Sequence, residues 1–240
     1  MLRRVRWSES SLIITLYSLD FGRISVIAKG ALRPKNSLFG QAELFSCAEY
    51  TISRKERRNI DTTIDISVLD YNNSIRIDPL AYAFSCLYIE WMLNVITGSE
   101  PSQSTYHLLK NVLSLFGEGS SFWPVLCSGI EKLLRLSGHA IEVSICTKCG
   151  RESGNSCHWN PLSGGIVCSD CASGEIKVPA GFLLFIKNSR QSSLREIQNI
   201  NLWKGGFRQT FDLLREFTEI HYDMRMKLKS LSIVEDLDNA

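Results

Sequence analysis

The chain has 240 residues, 44% of them hydrophobic and 22% charged, with a formal net charge of +2. That is the balance of an ordinary globular protein, long enough for one large domain or two modest ones sharing a core. No apolar run reaches the roughly 18–20 residues of a membrane span, and the N-terminal MLRRVRWSESS lacks the apolar core of a signal peptide, so a cytosolic protein with reduced cysteines is expected. The charge is unevenly spread. Residues 1–60 hold eleven Lys or Arg against five Asp or Glu, a balance of +6, which leaves −4 for the remaining 180. A basic N-terminal part points to an anionic partner, and nucleic acid is the commonest for a cytosolic protein.

The first 70 residues have the period of two that belongs to half-buried strands. In LIITLY, Leu12, Ile14 and Leu16 share one face; in RISVIAK, Ile24, Val26 and Ala28 do the same. SLDFG (18–22) makes the hairpin turn between them, and further strands fall at 2–7, 42–53 and 62–69. Five short strands with a basic hairpin loop, RKERRN (54–59), fit a small OB-type barrel, with an SH3-like barrel as the alternative.

Helices follow. Asp78 is suited to cap a helix opened by Pro79, and LAYAFSCLYIEWMLNVI is apolar nearly all round, which marks it as buried. Helices over 104–117 and 120–138 come next, with Gly117 and Gly138 expected just past their ends. Pro179 opens a short helix through Phe185, and an amphipathic helix carrying Phe207, Phe211, Leu214, Phe217 and Ile220 spans 206–228. The acidic tail SIVEDLDNA lacks periodicity and is expected to fray. The fold class is therefore α+β: a five-stranded OB-type nucleic-acid-binding domain at 1–75, then an α-helical domain at 76–240 from which a zinc-binding insertion, 146–171, protrudes.

That insertion reads CTKCGRESGNSCHWNPLSGGIVCSDC. Cys146, Cys149, Cys168 and Cys171 form two C-x2-C pairs separated by eighteen residues, which is zinc-ribbon or knuckle spacing. Four thiolates fill a tetrahedral shell and leave no position for water or substrate, so one structural Zn2+ is expected. Gly150, Ser153, Gly154, Gly164 and Gly165 supply turns around the pairs. A thioredoxin-like redox pair would need a strand before it and a helix start after it, and a zinc deaminase would need H-x-E and P-C-x-x-C; neither pattern is present. Cys157 and His158 lie between the pairs at an irregular offset and are second-choice ligands. Cys47, Cys86 and Cys127 sit in apolar segments, as buried small thiols do.

Catalytic chemistry is hard to find. There is no G-x-x-x-x-G-K-[ST] for ATP, and His107, His139, His158 and His221 stand in separate segments without a nucleophile pattern. What remains is binding, with basic side chains tracking phosphates and aromatics stacking on bases. Arg4 and Arg6 share a face of the first strand, Arg23 and Lys29 bound RISVIAK, Arg33 and Lys35 lie in GALRPKNS, and Arg54, Lys55, Arg57 and Arg58 crowd the next hairpin. Trp7, Tyr17 and Phe39 can stack on bases or fill the barrel, the second being the commoner use of large residues in a small barrel.

The stretch LRRVRWSESSLIITLYSLDFGRISVIAKGALRPKN resembles the opening of the RecO family of bacterial DNA repair proteins. The order that follows is also similar: the acid-capped apolar helix at Asp78, LLRLSG at 133–138, C-x2-C-G, GGIVCSDC at 164–171, and a closing helix ending in KSL. The family usually carries several residues before the first strand, so a shortened barrel start is expected here. Because some members lack the zinc cysteines, the resemblance implies an ion that shapes the domain without serving the activity. It also implies a non-enzymatic, ATP-independent recombination mediator of the RecF pathway, cytoplasmic and nucleoid-associated. Such a protein binds single- and double-stranded DNA, anneals complementary strands and, with RecR, helps load RecA onto DNA coated by single-stranded DNA-binding protein (SSB), whose C-terminal tail it contacts. The competing classes are a zinc-dependent enzyme acting on nucleic acid and a zinc-ribbon interaction protein of transcription or translation.

Overall fold

The computed structural model describes residues 1–54, 60–119, 121–152, 154, 156–200 and 205–238. Strands β1 (Arg3–Arg6), β2 (Leu12–Ser18), β3 (Gly22–Ala28), β4 (Cys47–Ser53) and β5 (Asp61–Asp70) form one sheet in the order β1-β2-β3-β5-β4. All neighbours are antiparallel except β3 and β5, which run parallel. This crossover is the OB-type order and excludes a simple meander. The alternation in the sequence decides the interior: Leu12, Ile14 and Leu16 from β2 meet Val26 and Ala28 from β3 and Ile66 from β5 in one buried cluster. Between β1 and β4 the seam closes at one end, where the Met1 amino group donates to the Ser46 carbonyl at 2.6 Å and the Phe45 amide donates to the Met1 carbonyl at 3.1 Å.

Strand β4 starts at Cys47, five residues later than the apolar pattern suggests. Residues 42–46 turn instead, and Phe45 adopts a left-handed φ of 68° to bury its ring. That ring, with Leu2 and Tyr17, belongs to the core of the helical part and not to the barrel's own cluster. The two parts thus share a continuous apolar seam.

Short helix α1 (Asn73–Ile77) precedes α2 (Pro79–Val95). Asp78 caps α2 as its sequence predicts, its Oδ1 accepting from Leu80 and Ala81 amides at 2.8 and 3.2 Å. Phe84, Leu87, Tyr88 and Trp91 of α2 are fully buried, and α4 (Phe122–Leu136) is the axis on which α2, α3 (Gln103–Gly117), α5 (Ala180–Gln191), α6 (Leu194–Ile197) and α7 (Gly206–His221) pack. Gly138 takes the left-handed conformation expected past α4, whereas Gly117 ends α3 and Gly119 takes the left-handed turn in its place.

Three expectations are corrected here. Helix α5 continues six residues past Phe185. Helix α7 stops at His221, seven residues before Leu228, and the chain continues as an irregular segment with Asp223 at φ 47°. The tail expected to fray forms α8 (Ser230–Asp238), with Leu231 and Val234 buried. Tertiary contacts supply what its own sequence lacks. The Ser230 amide donates to Glu90 Oε2 at 3.1 Å, Trp123 Nε1 donates to Asp238 Oδ2 at 2.7 Å, and Arg208 pairs with Glu235.

Between α4 and α5 the chain forms a hairpin of β6 (Cys157–Asn160) and β7 (Gly165–Cys168), joined by a 3-10 turn at Pro161–Ser163. It does not simply protrude. Cys157, Trp159, Ile166 and Val167 are buried; Trp159 packs on Phe182 and Phe217 and donates to Glu216 Oε2 at 2.8 Å. Gly165 permits this packing, because a Cβ there would stand 2.1 Å from the Glu142 carbonyl oxygen. Among the described residues, no helix is long and apolar enough to cross a membrane.

Candidate metal centre and nucleic-acid interface

The hairpin gathers the cysteine pairs. The first closes through a Gly150 amide to Cys146 carbonyl bond of 2.8 Å with Gly150 at φ 72°, and the second through Cys171 and Ala172 amides to the Cys168 carbonyl at 3.1 and 3.0 Å. The four sulfurs of Cys146, Cys149, Cys168 and Cys171 lie within 4.8 Å of one another, and those of Cys149 and Cys168 are 3.8 Å apart. A tetrahedral ion with metal–sulfur bonds of about 2.3 Å requires sulfurs about 3.8 Å apart, so the arrangement can hold a metal ion and is consistent with zinc. Backbone amides, that of Cys168 foremost, pull the Cys146 thiol down to about 6 and so favour the thiolate that a metal needs. Cys157 and His158 lie outside this group of four: Cys157 is buried and its thiol donates to the Gly154 carbonyl at 3.1 Å. Arg151 and Asp170 bridge the two pairs at 3.0 Å, and Lys148 reaches both the Cys171 carbonyl at 3.0 Å and Glu175 at 2.9 Å.

The barrel divides the seven basic candidates that lie among the described residues. The β1–β2 turn lies against the loop after β3, since the Leu32 amide donates to the Ser10 carbonyl at 3.0 Å and the Gly30 amide to Ser11 Oγ at 3.3 Å. Within that loop Ala31, Leu38 and Ala42 tuck into the barrel core, and a run of tight turns from Gly30 to Gln41 displays what lies between. Lys29, Arg33 and Lys35 are therefore exposed, and Arg6 is exposed beside them with its guanidinium donating to the Ser8 and Glu9 carbonyls. Trp7, just after β1, is 62% exposed and Phe39, in the loop after β3, is 48% exposed, whereas Tyr17 is buried. The aromatics thus split: one fills the core, and two stand in solvent among cations.

The other candidates are placed differently. Arg4 donates to Glu43 Oε1 at 2.8 Å and to the Ala42 carbonyl at 2.9 Å, sharing Glu43 with Arg76. Arg23 donates from Nη1 to the Leu93 and Ile96 carbonyls, both at 2.7 Å, in the seam with α2. Arg54 stacks over Phe21 at 4.3 Å and pairs with Asp61 at 3.3 Å. Phe21 lies at the opposite end of the β2–β3 hairpin from Trp7, about 20 Å away along seven-residue strands. Lys55, Arg57, Arg58 and Ser153 lie outside the described residues.

An OB-type barrel whose loops carry exposed cations and aromatics, joined to a helical unit bearing a four-thiol metal knuckle, defines a class of nucleic-acid-binding protein. Family comparison agrees. Residues 1–72 match the model described as Recombination protein O N terminal, and residues 76–232 match Recombination protein O C terminal. The chain belongs to the recombination protein O family. It is 30% identical over 191 residues to DNA repair protein RecO of Rubrobacter xylanophilus, covering 76% of this chain and 75% of that one. It is 27% identical over 234 residues to that of Desulforamulus reducens, covering 95% and 89%. Membership places it among the proteins of DNA repair and recombination.

Proposed function

We propose that this chain is an ATP-independent recombination mediator, not an enzyme, that binds single- and double-stranded DNA through its barrel, acting in the cytoplasm at the nucleoid. Two units carry the work, 1–75 for DNA and 76–240 for partners, with 146–171 built around one structural zinc. The observation that supports this most is that the β1–β2 turn, with Arg6 and Trp7 open to solvent, lies against the loop after β3 that carries the exposed Lys29, Arg33, Lys35 and Phe39. Phosphates would be held by the cations while bases stack on the rings. Neutralising the phosphates of two strands lowers their mutual repulsion and releases counterions, which favours annealing. Arg54 supplies a second phosphate contact at the far end, Lys55, Arg57 and Arg58 are assigned the same role from their place in the sequence, and Arg4 and Arg23 hold the barrel in shape. With RecR, the annealing-competent protein would load RecA onto DNA coated by SSB, whose tail docks on the helical unit.

The test is annealing of two complementary oligonucleotides precoated with SSB, without ATP, at two salt concentrations. Annealing that fades as salt rises is the expected result. Its absence from folded, zinc-loaded protein would sink the reading.

A further inference from the structure

A crevice of about 460 Å3 opens between the barrel and the helices. Its floor is apolar, from Leu2, Phe45 and Ile89, and its charged walls are Arg3, Arg4, Arg23, Glu90, Lys227 and Lys229. The cations differ in what they are free to do. Arg4 is held by Glu43 and Arg23 by two carbonyl oxygens, as described above. Glu90 accepts the Ser230 amide. Arg3, Lys227 and Lys229 are exposed and, among the described residues, form no ion pair.

Lys227 and Lys229 reach the crevice because α7 ends early. In the irregular segment before α8 the chain alternates: Met226 is buried and Leu228 half-buried, while Arg225, Lys227 and Lys229 face outward. Read as the end of a helix, Lys227 and Lys229 are two positions apart and do not share a face, so helical periodicity does not bring them together. The crevice also continues the barrel's proposed surface. Arg3 and Trp7 are four residues apart at either end of β1, about 14 Å on an extended strand.

We infer that a single nucleic-acid strand held at Trp7, Arg33 and Lys35 continues along β1 into this crevice, where Arg3, Lys227 and Lys229 bind its phosphates. Three exposed cations, without an ion pair among the described residues, over an apolar floor suit a chain that offers a phosphate and a base face at every step. The inference rests on the barrel reading of the function, and the experiment separates the two.

Affinity is measured against salt for wild type, K227A/K229A and R33A/K35A, using a single strand of about 4 nucleotides, the lower end of what one such barrel holds, and one about six times as long. Each lost phosphate contact lowers the log–log salt slope by about 0.7. K227A/K229A should lower the slope by about 1.4 and the affinity roughly threefold to tenfold for the long strand only. R33A/K35A should lower both strands' slopes. If K227A/K229A changes neither strand, or changes both equally, the crevice path is overturned while the R33A/K35A result still upholds the barrel. If neither variant moves a slope, both readings fall. Zinc content and thermal midpoint confirm folding, and K227Q/K229Q, which keeps more of the aliphatic stem, replaces a variant that does not fold.

Discussion

Arg23 on β3 donates from Nη1 to the carbonyl oxygen of Ile96, the C-cap of α2, at 2.7 Å. The same nitrogen reaches the Leu93 carbonyl, so a barrel strand caps a helix of the other unit. A cation at a helix C-terminus satisfies orphan carbonyls and meets the negative end of the helix dipole. Burial, and then the nearby Arg3, push the Arg23 guanidinium below its ordinary range, a cost that its two carbonyl partners offset. Gly22 beside it packs so closely on the Ser99–Glu100 backbone that a Cβ would stand 2.5 Å from the Glu100 carbonyl oxygen.

R23A should therefore lower unfolding stability by about 1–3 kcal/mol, with R23K recovering part of it. Urea denaturation measures the loss. A variant as stable as wild type would show that the seam is held by Leu2, Tyr17 and Phe45 alone.

Glu131 is buried in the helical core, where Arg190 Nε donates to it at 2.9 Å and Ser189 Oγ at 3.3 Å. Removing the carboxylate leaves Arg190 without its counter-charge between α4 and α5. E131A should cost about 3–5 kcal/mol, read from the shift in denaturation midpoint. A loss below about 1 kcal/mol would mean that water enters and replaces the pair.

The four thiols predict one zinc per chain. C149S/C168S should carry almost none, and its thermal midpoint should fall because Trp159 and Ile166 lose the clamp that orders their hairpin. Elemental analysis beside calorimetry decides the matter; full metal content in that variant would contradict the assignment.

Glu175 ties the second cysteine pair to the hairpin: it accepts from the Ser173 amide, from Lys148, and from Asn160 Nδ2 at 2.7 Å. The Ser173 amide first, and then Lys148, lower its carboxyl from 4.5 to about 2. A depressed carboxyl stabilises the fold above its unfolded value and loses that contribution as pH falls through its folded value. E175Q should thus melt below wild type at neutral pH, and the gap should close as pH drops from 4.5 towards 2. A gap independent of pH would show that the carboxylate's charge is not what matters.

Much of this was legible because it rests on local rules. The alternation of Leu12, Ile14 and Leu16 names the barrel interior, Asp78 and Pro79 announce α2, and two C-x2-C pairs announce the metal knuckle. What was hidden depends on distant partners. Helix α8 is only nine residues long and is stable against α2 through Leu231 and Val234; the β6–β7 strands are four residues each and are held by burial of Trp159 and Ile166. Arg23 and Arg33 are alike in the sequence, and only the seam assigns one to a helix end and the other to solvent. Period alone likewise says nothing of Trp7 and Phe39, which lie in turns beyond the strands.

The barrel's role is tested most directly at Trp7. Its fluorescence, taken as the difference between wild type and W7F, is followed as single-stranded DNA is added. Stacking predicts quenching that saturates with binding and is absent from W7F, whose affinity falls by less than the roughly 1–3 kcal/mol lost in W7A because a phenyl ring remains. Saturating DNA that leaves the Trp7 emission unchanged, with W7A binding as tightly as wild type, would contradict the account.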